Sequence, residues 1–73
     1  MFHYFPTTQN LSDEDLGTYT TYGVTVQDDE KKTILSISDV SPNKQFVIEL
    51  CERCNQFQLD PIHLSDLIYD LLD

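Results

Sequence analysis

Cys51-Glu52-Arg53-Cys54 is a C-x-x-C, a spacing that serves thiol–disulfide exchange or half of a tetrahedral metal site. Redox use wants the first thiol at a helix N-terminus, where free N–H groups stabilise the thiolate. Here Ser41-Pro42 is the nearest helix start signal, a cap followed by a first-turn proline. Cys51 then lies about ten residues beyond the cap, and Cys54 points to the apolar face. A structural zinc site needs four ligands. The chain has two histidines, His3 and His63, neither at ligand spacing. The pair therefore reads as core cysteines, with no metal and no cofactor expected.

Asp60, His63 and Asp66 recur every three residues, a spacing open to a weak metal site or an acid–base group. Asp60 already has work as the cap before Pro61, and nothing completes a site. There is no Ser-His-Asp arrangement and no nucleophile motif, and two glycines give little means of bringing backbone close to phosphate. No catalytic residue is expected, and the chain reads as a non-enzyme.

The remaining chemistry is charge. Asp66, Asp70 and Asp73 line one stripe of a helix with Tyr69 beside them, and no Lys or Arg follows Arg53. Like charges four residues apart cost a helix about 0.2–0.5 kcal/mol. Acids at its C-terminal end cost about 0.3–1 kcal/mol each. Local rule-breaking of this kind often marks function. Asp66, Tyr69, Asp70 and Asp73 are therefore the predicted partner-binding residues, set against the plainer reading of a solvated acidic face.

These residues need elements to hold them. Phe2–Phe5 suits a short edge strand ended by Pro6. Residues 1–16 then comprise that strand and a mobile acidic loop, with one capped helical turn around Ser12-Asp13-Glu14-Asp15 as the alternative. Thr18–Gln27 and Thr33–Val40 alternate across the polar break Asp28-Asp29-Glu30-Lys31-Lys32 and read as an antiparallel hairpin. After Ser41-Pro42 the period becomes helical, with Phe46, Val47, Leu50, Cys54 and Phe57 on one face. Asp60-Pro61 repeats the start signal. Leu64, Leu67, Ile68, Leu71 and Leu72 share the apolar face of the second helix, and Ile62 and Tyr69 flank its acids. Leu50 and Leu67 are the expected core anchors. The fold class is α+β: a single two-layer domain over residues 1–73, with a short antiparallel sheet of two or three strands and two C-terminal helices on one face.

Thirteen acids against four bases give a net charge of −9. Coulomb repulsion argues against direct nucleic-acid binding and against anionic membrane, while a partner with a basic surface is favoured. No stretch approaches a membrane span or a signal peptide. Two cysteines are too few for a disulfide framework. A cytoplasmic location is expected.

From Gly17 onward the chain resembles the short bacterial proteins grouped as domain of unknown function 6514, found in clostridia and their relatives. The resemblance rests on Thr21-Tyr22-Gly23-Val24, Asp39-Val40-Ser41 and Pro61-Ile62-His63-Leu64-Ser65-Asp66-Leu67-Ile68. Ser65 departs from a position often aromatic in the family, and the cysteine pair stands outside its pattern. The resemblance implies a bacterial, cytosolic setting, phage-associated proteins included, and no activity. The expected function is a non-enzymatic protein–protein interaction module or regulator, with a homodimer among its expected forms. The alternative is an inhibitor whose carboxylates mimic nucleic acid and block a basic groove, as anti-defence proteins of phages do.

Overall fold

The structure, a computed structural model, describes residues 1–72. Three strands form an antiparallel sheet in the order β1-β2-β3: β1 (His3–Asp13), β2 (Gly17–Gln27) and β3 (Thr33–Ser41). Two helices follow, α1 (Lys44–Phe57) and α2 (Leu64–Leu72), the second entered through a 3₁₀ turn at Pro61–His63. The domain is the α+β sheet-and-helices architecture expected from the change of period, with the third strand present.

The amino-terminal segment differs from the expectation. β1 does not stop at Pro6 but runs on to Asp13, paired with β2 from His3↔Gln27 to Asp13↔Gly17. Residues 7–13 are strand, not acidic loop, and no helical turn forms. The acids beyond it make a tight turn. Asp13 Oδ1 accepts hydrogen bonds from the N–H of Asp15 (2.8 Å) and of Leu16 (3.1 Å). Gly17 closes the turn at φ 76°, where a side chain is disfavoured.

The second hairpin falls where the charged run placed it. Asp28 Oδ1 accepts from the N–H of Glu30 (2.9 Å) and of Lys32 (3.0 Å), and Lys31 takes a positive φ of 64°. Val24 and Val26 are fully buried and pair with Ile37 and Leu35. Their side chains face the helices.

α1 begins two residues later than Ser41-Pro42 suggested. Asn43 is the cap, its side chain accepting from the Phe46 N–H at 3.2 Å, while Ser41 Oγ accepts from the Asn43 N–H at 3.0 Å. Serine thus caps the cap, and proline sits in the approach. At the other end Gln58 adopts the left-handed conformation, φ 51°, and the Leu59 N–H reaches the Cys54 carbonyl at 3.1 Å. That is a helix stop made without glycine. Asp60 caps the final segment as expected, accepting from the Ile62 N–H at 3.1 Å.

Tyr4, Val24, Val26, Val40, Val47, Leu50, Cys51, Cys54, Leu64 and Ile68 make one core between sheet and helices. Phe57, Leu67 and Leu71, expected on the apolar faces, are not members of it. Phe57, the last residue of α1, is 75% exposed. Leu67 only packs against the cluster, and Leu64 is the fully buried anchor of α2 instead. Leu71 is exposed as well. No helix among the described residues is long and apolar enough to cross a membrane.

Candidate functional site

α2 carries Asp66, Tyr69 and Asp70 on its outward side, all exposed, while Leu64 and Ile68 hold its inner side in the core. Tyr69 is 73% exposed despite its size. Among the described residues neither Asp66 nor Asp70 has an ion-pair partner; the two recorded pairs both involve Asp29, with His3 and the terminal ammonium. Asp73, the fourth expected residue, lies outside the described residues, and Leu72 is described only as the end of the helix. Asp66 stands in the first turn of α2. There the helix dipole favours a carboxylate, so of these two acids only Asp70 strains its own helix through the dipole.

Tyr69 also lines a cleft of about 290 Å³ between α2 and the end of β3, together with Ile37, Ser38, Asp39, Val40, Ser65 and Ile68. Helical spacing puts Asp66 and Asp70 on the solvent side of Tyr69, about 60° and 100° round the axis from it. Among the described residues of the predicted stripe Tyr69 alone reaches this cleft, which periodicity did not reveal; Asp66 and Asp70 are not among its lining residues.

An irregular stretch of β3 lines one side of the cleft. Tyr22 pairs with Ser41 but Val24 pairs with Ile37, so a step of two residues on β2 meets a step of four on β3. The extra residues arch out, and Asp39 takes a positive φ of 53° at the crest. Two strands tie it down. Thr21 Oγ1, fully buried, donates to Asp39 Oδ1 at 2.7 Å, and the Asp39 N–H donates to Gln9 Oε1 at 2.9 Å. Gly23 lies beneath the arch, where an added Cβ would collide with the Ile37 carbonyl oxygen and crowd Thr7 Oγ1 and Gln9 Oε1. Thr21, Gly23 and Asp39 of the motif stretches are therefore one structural device. The isolated glycine within a strand pattern was the signal for it.

A second device closes one edge of the sheet. The Tyr4 N–H donates to Asn55 Oδ1 at 2.7 Å, and Asn55 Nδ2 donates back to the Tyr4 carbonyl at 2.8 Å. Gln58 does the same for Phe2, accepting from its N–H at 3.2 Å and donating to its carbonyl at 3.4 Å. Two side-chain amides of the α1 end thus replace a neighbouring strand. Pro6, next along that edge, offers no N–H.

The other candidates do not gather. Cys51 and Cys54 are both buried in the core. Burial, and then the charge Cys54 would carry, pushes the Cys51 thiol up to about 12. Burial raises Cys54 too. Neither is a thiolate near neutral pH, and both cysteines are members of the core cluster. Asp60 serves as a cap, while His63 and Asp66 are separately exposed. Among the described residues no three metal-ligating side chains come together. An apolar groove of about 260 Å³ between the helices is lined by residues including Leu50, Phe57, Leu67 and Leu71.

Searches of curated proteins and of solved structures find no match to the chain. The model of a family of unknown function, DUF6514, matches residues 1–73. The match takes in β1 and its turn as well as the stretches from Gly17 onward, and the chain belongs to this family.

Proposed function

We propose that this chain is a non-enzymatic protein–protein interaction module of the bacterial cytoplasm, and that the outer side of α2 receives a partner with a basic surface. One observation carries the reading. Tyr69, 73% exposed, stands at the mouth of a cleft and beside two carboxylates that have no ion-pair partner among the described residues. Tyrosine is enriched at binding hot spots because it combines apolar area with a hydroxyl. Unpaired surface carboxylates speed encounter with a cationic surface. A net charge of −9 extends the attraction beyond contact range.

The test uses the full chain, tagged, as bait in extract of the cell that makes it, beside an Asp66→Asn/Asp70→Asn bait and a Tyr69→Ala bait. A protein held by the wild type, lost from both variants and released by salt is the expected result. Equal retention by all three baits would remove α2 as the binding surface. If added duplex DNA competes the partner off, the acidic face works as a nucleic-acid mimic, the narrower form of the same reading.

A further inference from the structure

We propose that a second copy of this chain docks on the groove between α1 and α2, the two α1 helices packing antiparallel about a two-fold axis so that Phe57 of each copy enters the hollow beside Phe46 and Leu71 of the other. The surface is not the one assigned to the basic partner. Leu67 and Leu71 line the groove, and Tyr69 stands about 160° round the α2 axis from both.

The groove is apolar and uncovered. Phe57 is 75% and Leu71 44% exposed, and Phe46 and Leu67 are only partly buried. A second hollow of about 210 Å³ continues the groove along α1. It shares Leu50, Arg53 and Leu71 with the groove and adds Phe46 and Glu49. At about 100° per residue Phe46, Glu49, Leu50, Arg53 and Phe57 fall within one sector of α1 about 100° wide. The two hollows therefore form one face. A contiguous exposed apolar face rimmed by polar residues is the form that interaction sites take.

The charges on that face select the occupant. Glu49 and Arg53 are the charged residues lining the two hollows, and Arg53 is the only arginine of the chain. Arg53 makes no ion pair among the described residues. Glu49 and Arg53 stand one helical turn apart, with their midpoint at Cys51, and the midpoint of Phe46 and Phe57 falls between Cys51 and Glu52. An antiparallel two-fold at that level sets Glu49 of each copy opposite Arg53 of the other. It also brings Phe57 of each copy to the level of the other's Phe46, within the rise of one residue, about 1.5 Å. The polar and the apolar pair thus give one axis position, the reciprocity that an isologous contact requires. A basic partner would meet Arg53 with like charge, whereas a second copy brings Glu49 to it. Glu52 and Asp70 flank the face but line neither hollow. They belong to the net charge of −9 that makes two copies repel at long range. Salt should therefore strengthen this contact, the reverse of its effect on the α2 partner.

Sedimentation equilibrium of the full chain tests this. With rising concentration the mass should climb from 8.5 kDa towards twice that value. The dimer should be tighter at about 0.1 M salt than at about 0.01 M, where charges reach about three times as far. Phe57→Ser alters a side chain already exposed in the single copy and should weaken the dimer about tenfold, as loss of an aromatic anchor does. Arg53→Glu and Glu49→Arg should each weaken it by a similar factor, because like charges then face each other on both sides of the axis. An equimolar mixture of these two variants should associate more tightly than either alone, since every facing pair is again of opposite sign. Mixing cures no folding defect, so this gain reads the contact itself. A mass of 8.5 kDa persisting at millimolar concentration, a dimer indifferent to Phe57→Ser, or a mixture no more associated than its components would overturn the proposal.

Discussion

The carbonyl oxygen of Ile37 occupies the space that a side chain at Gly23 would need. The obstacle is backbone, held by the arch of β3, so it cannot swing aside as a flexible side chain would. Gly23→Ala should therefore destabilise the fold by about 1–3 kcal/mol, in the range of overpacking a filled interior. Gly17→Ala is the control. It meets no atom within 4 Å and bears only the positive-φ penalty, about 1–2 kcal/mol. Urea unfolding of both variants checks this, and a Gly23→Ala midpoint equal to wild type would mean that the arch does not lie over β2.

The Thr21–Asp39 hydrogen bond should hold the arch in place. Thr21→Val keeps the shape and removes the donor, leaving the carboxylate half-served. A hydrogen bond to a charged group is worth about 1.5–3 kcal/mol, and the exposed position of Asp39 puts the loss at the low end. Asp39→Asn keeps an acceptor and tolerates the left-handed conformation; Asp39→Ala does neither. Denaturation midpoints should fall in the order wild type, Asn, Ala, and an Ala variant as stable as Asn would count against the clamp.

Gly23 and Pro6 show how much of this was legible in advance. The alternation of Val24, Val26, Leu35 and Ile37 was enough for the central hairpin, because burial on one face imposes period two. A proline in an apolar run was read as a strand end, although an edge strand accepts it wherever its N–H would have faced outward. Gly23 is read from the sequence only as part of the hairpin, because the atom that requires a glycine there belongs to Ile37, which pairs next to it only after folding. The α2 stripe was readable from helical spacing. The cleft beside it was not, since the irregular stretch of β3 that lines it has no periodic trace. Phe57 and Leu71 kept the apolar period, yet both stand at element ends and are exposed.

Core anchoring divides α2 unequally. Leu50→Ala and Leu64→Ala remove buried side chains and should each cost about 2–5 kcal/mol. Leu67→Ala, only partly covered, should cost clearly less. Thermal melts of the three variants test the ranking, which fails if Leu67→Ala is the most damaging.

The cysteines should behave as interior thiols. Iodoacetamide should label Cys51 and Cys54 slowly at pH 8 in the native protein and rapidly in urea. The alkaline limb of stability carries the same information. The folded state holds the Cys51 proton up to about 12, against an ordinary thiol value near 9. Burial, with the charges of Cys54 and Asp60, holds the Tyr4 hydroxyl to about 12 against 10. Groups that keep their protons better when folded add stability that is complete below their unfolded values and is lost on approach to the folded ones. Stability should fall from about pH 9 towards pH 12, and Cys51→Ala should flatten the first part of that fall. An unchanged alkaline profile would place Cys51 nearer solvent.

Stability and binding should move in opposite directions at Asp70. Asp70→Asn removes both a like charge four residues from Asp66 and an acid towards the negative end of α2, a gain of about 0.5–1 kcal/mol. A thermal midpoint that fails to rise would show that the helix does not feel these charges.

The interaction reading itself is tested most directly by the association rate of the captured partner with wild type and with Asp66→Asn/Asp70→Asn at low and at high salt. Exposed charges act mainly on encounter, and their reach shrinks from about 10 Å at 0.1 M salt to about 3 Å at 1 M. The rate should be several-fold slower for the variant at low salt, and the two rates should converge at high salt. Equal rates at low salt would contradict the account and leave the carboxylates of α2 a solubilising role only.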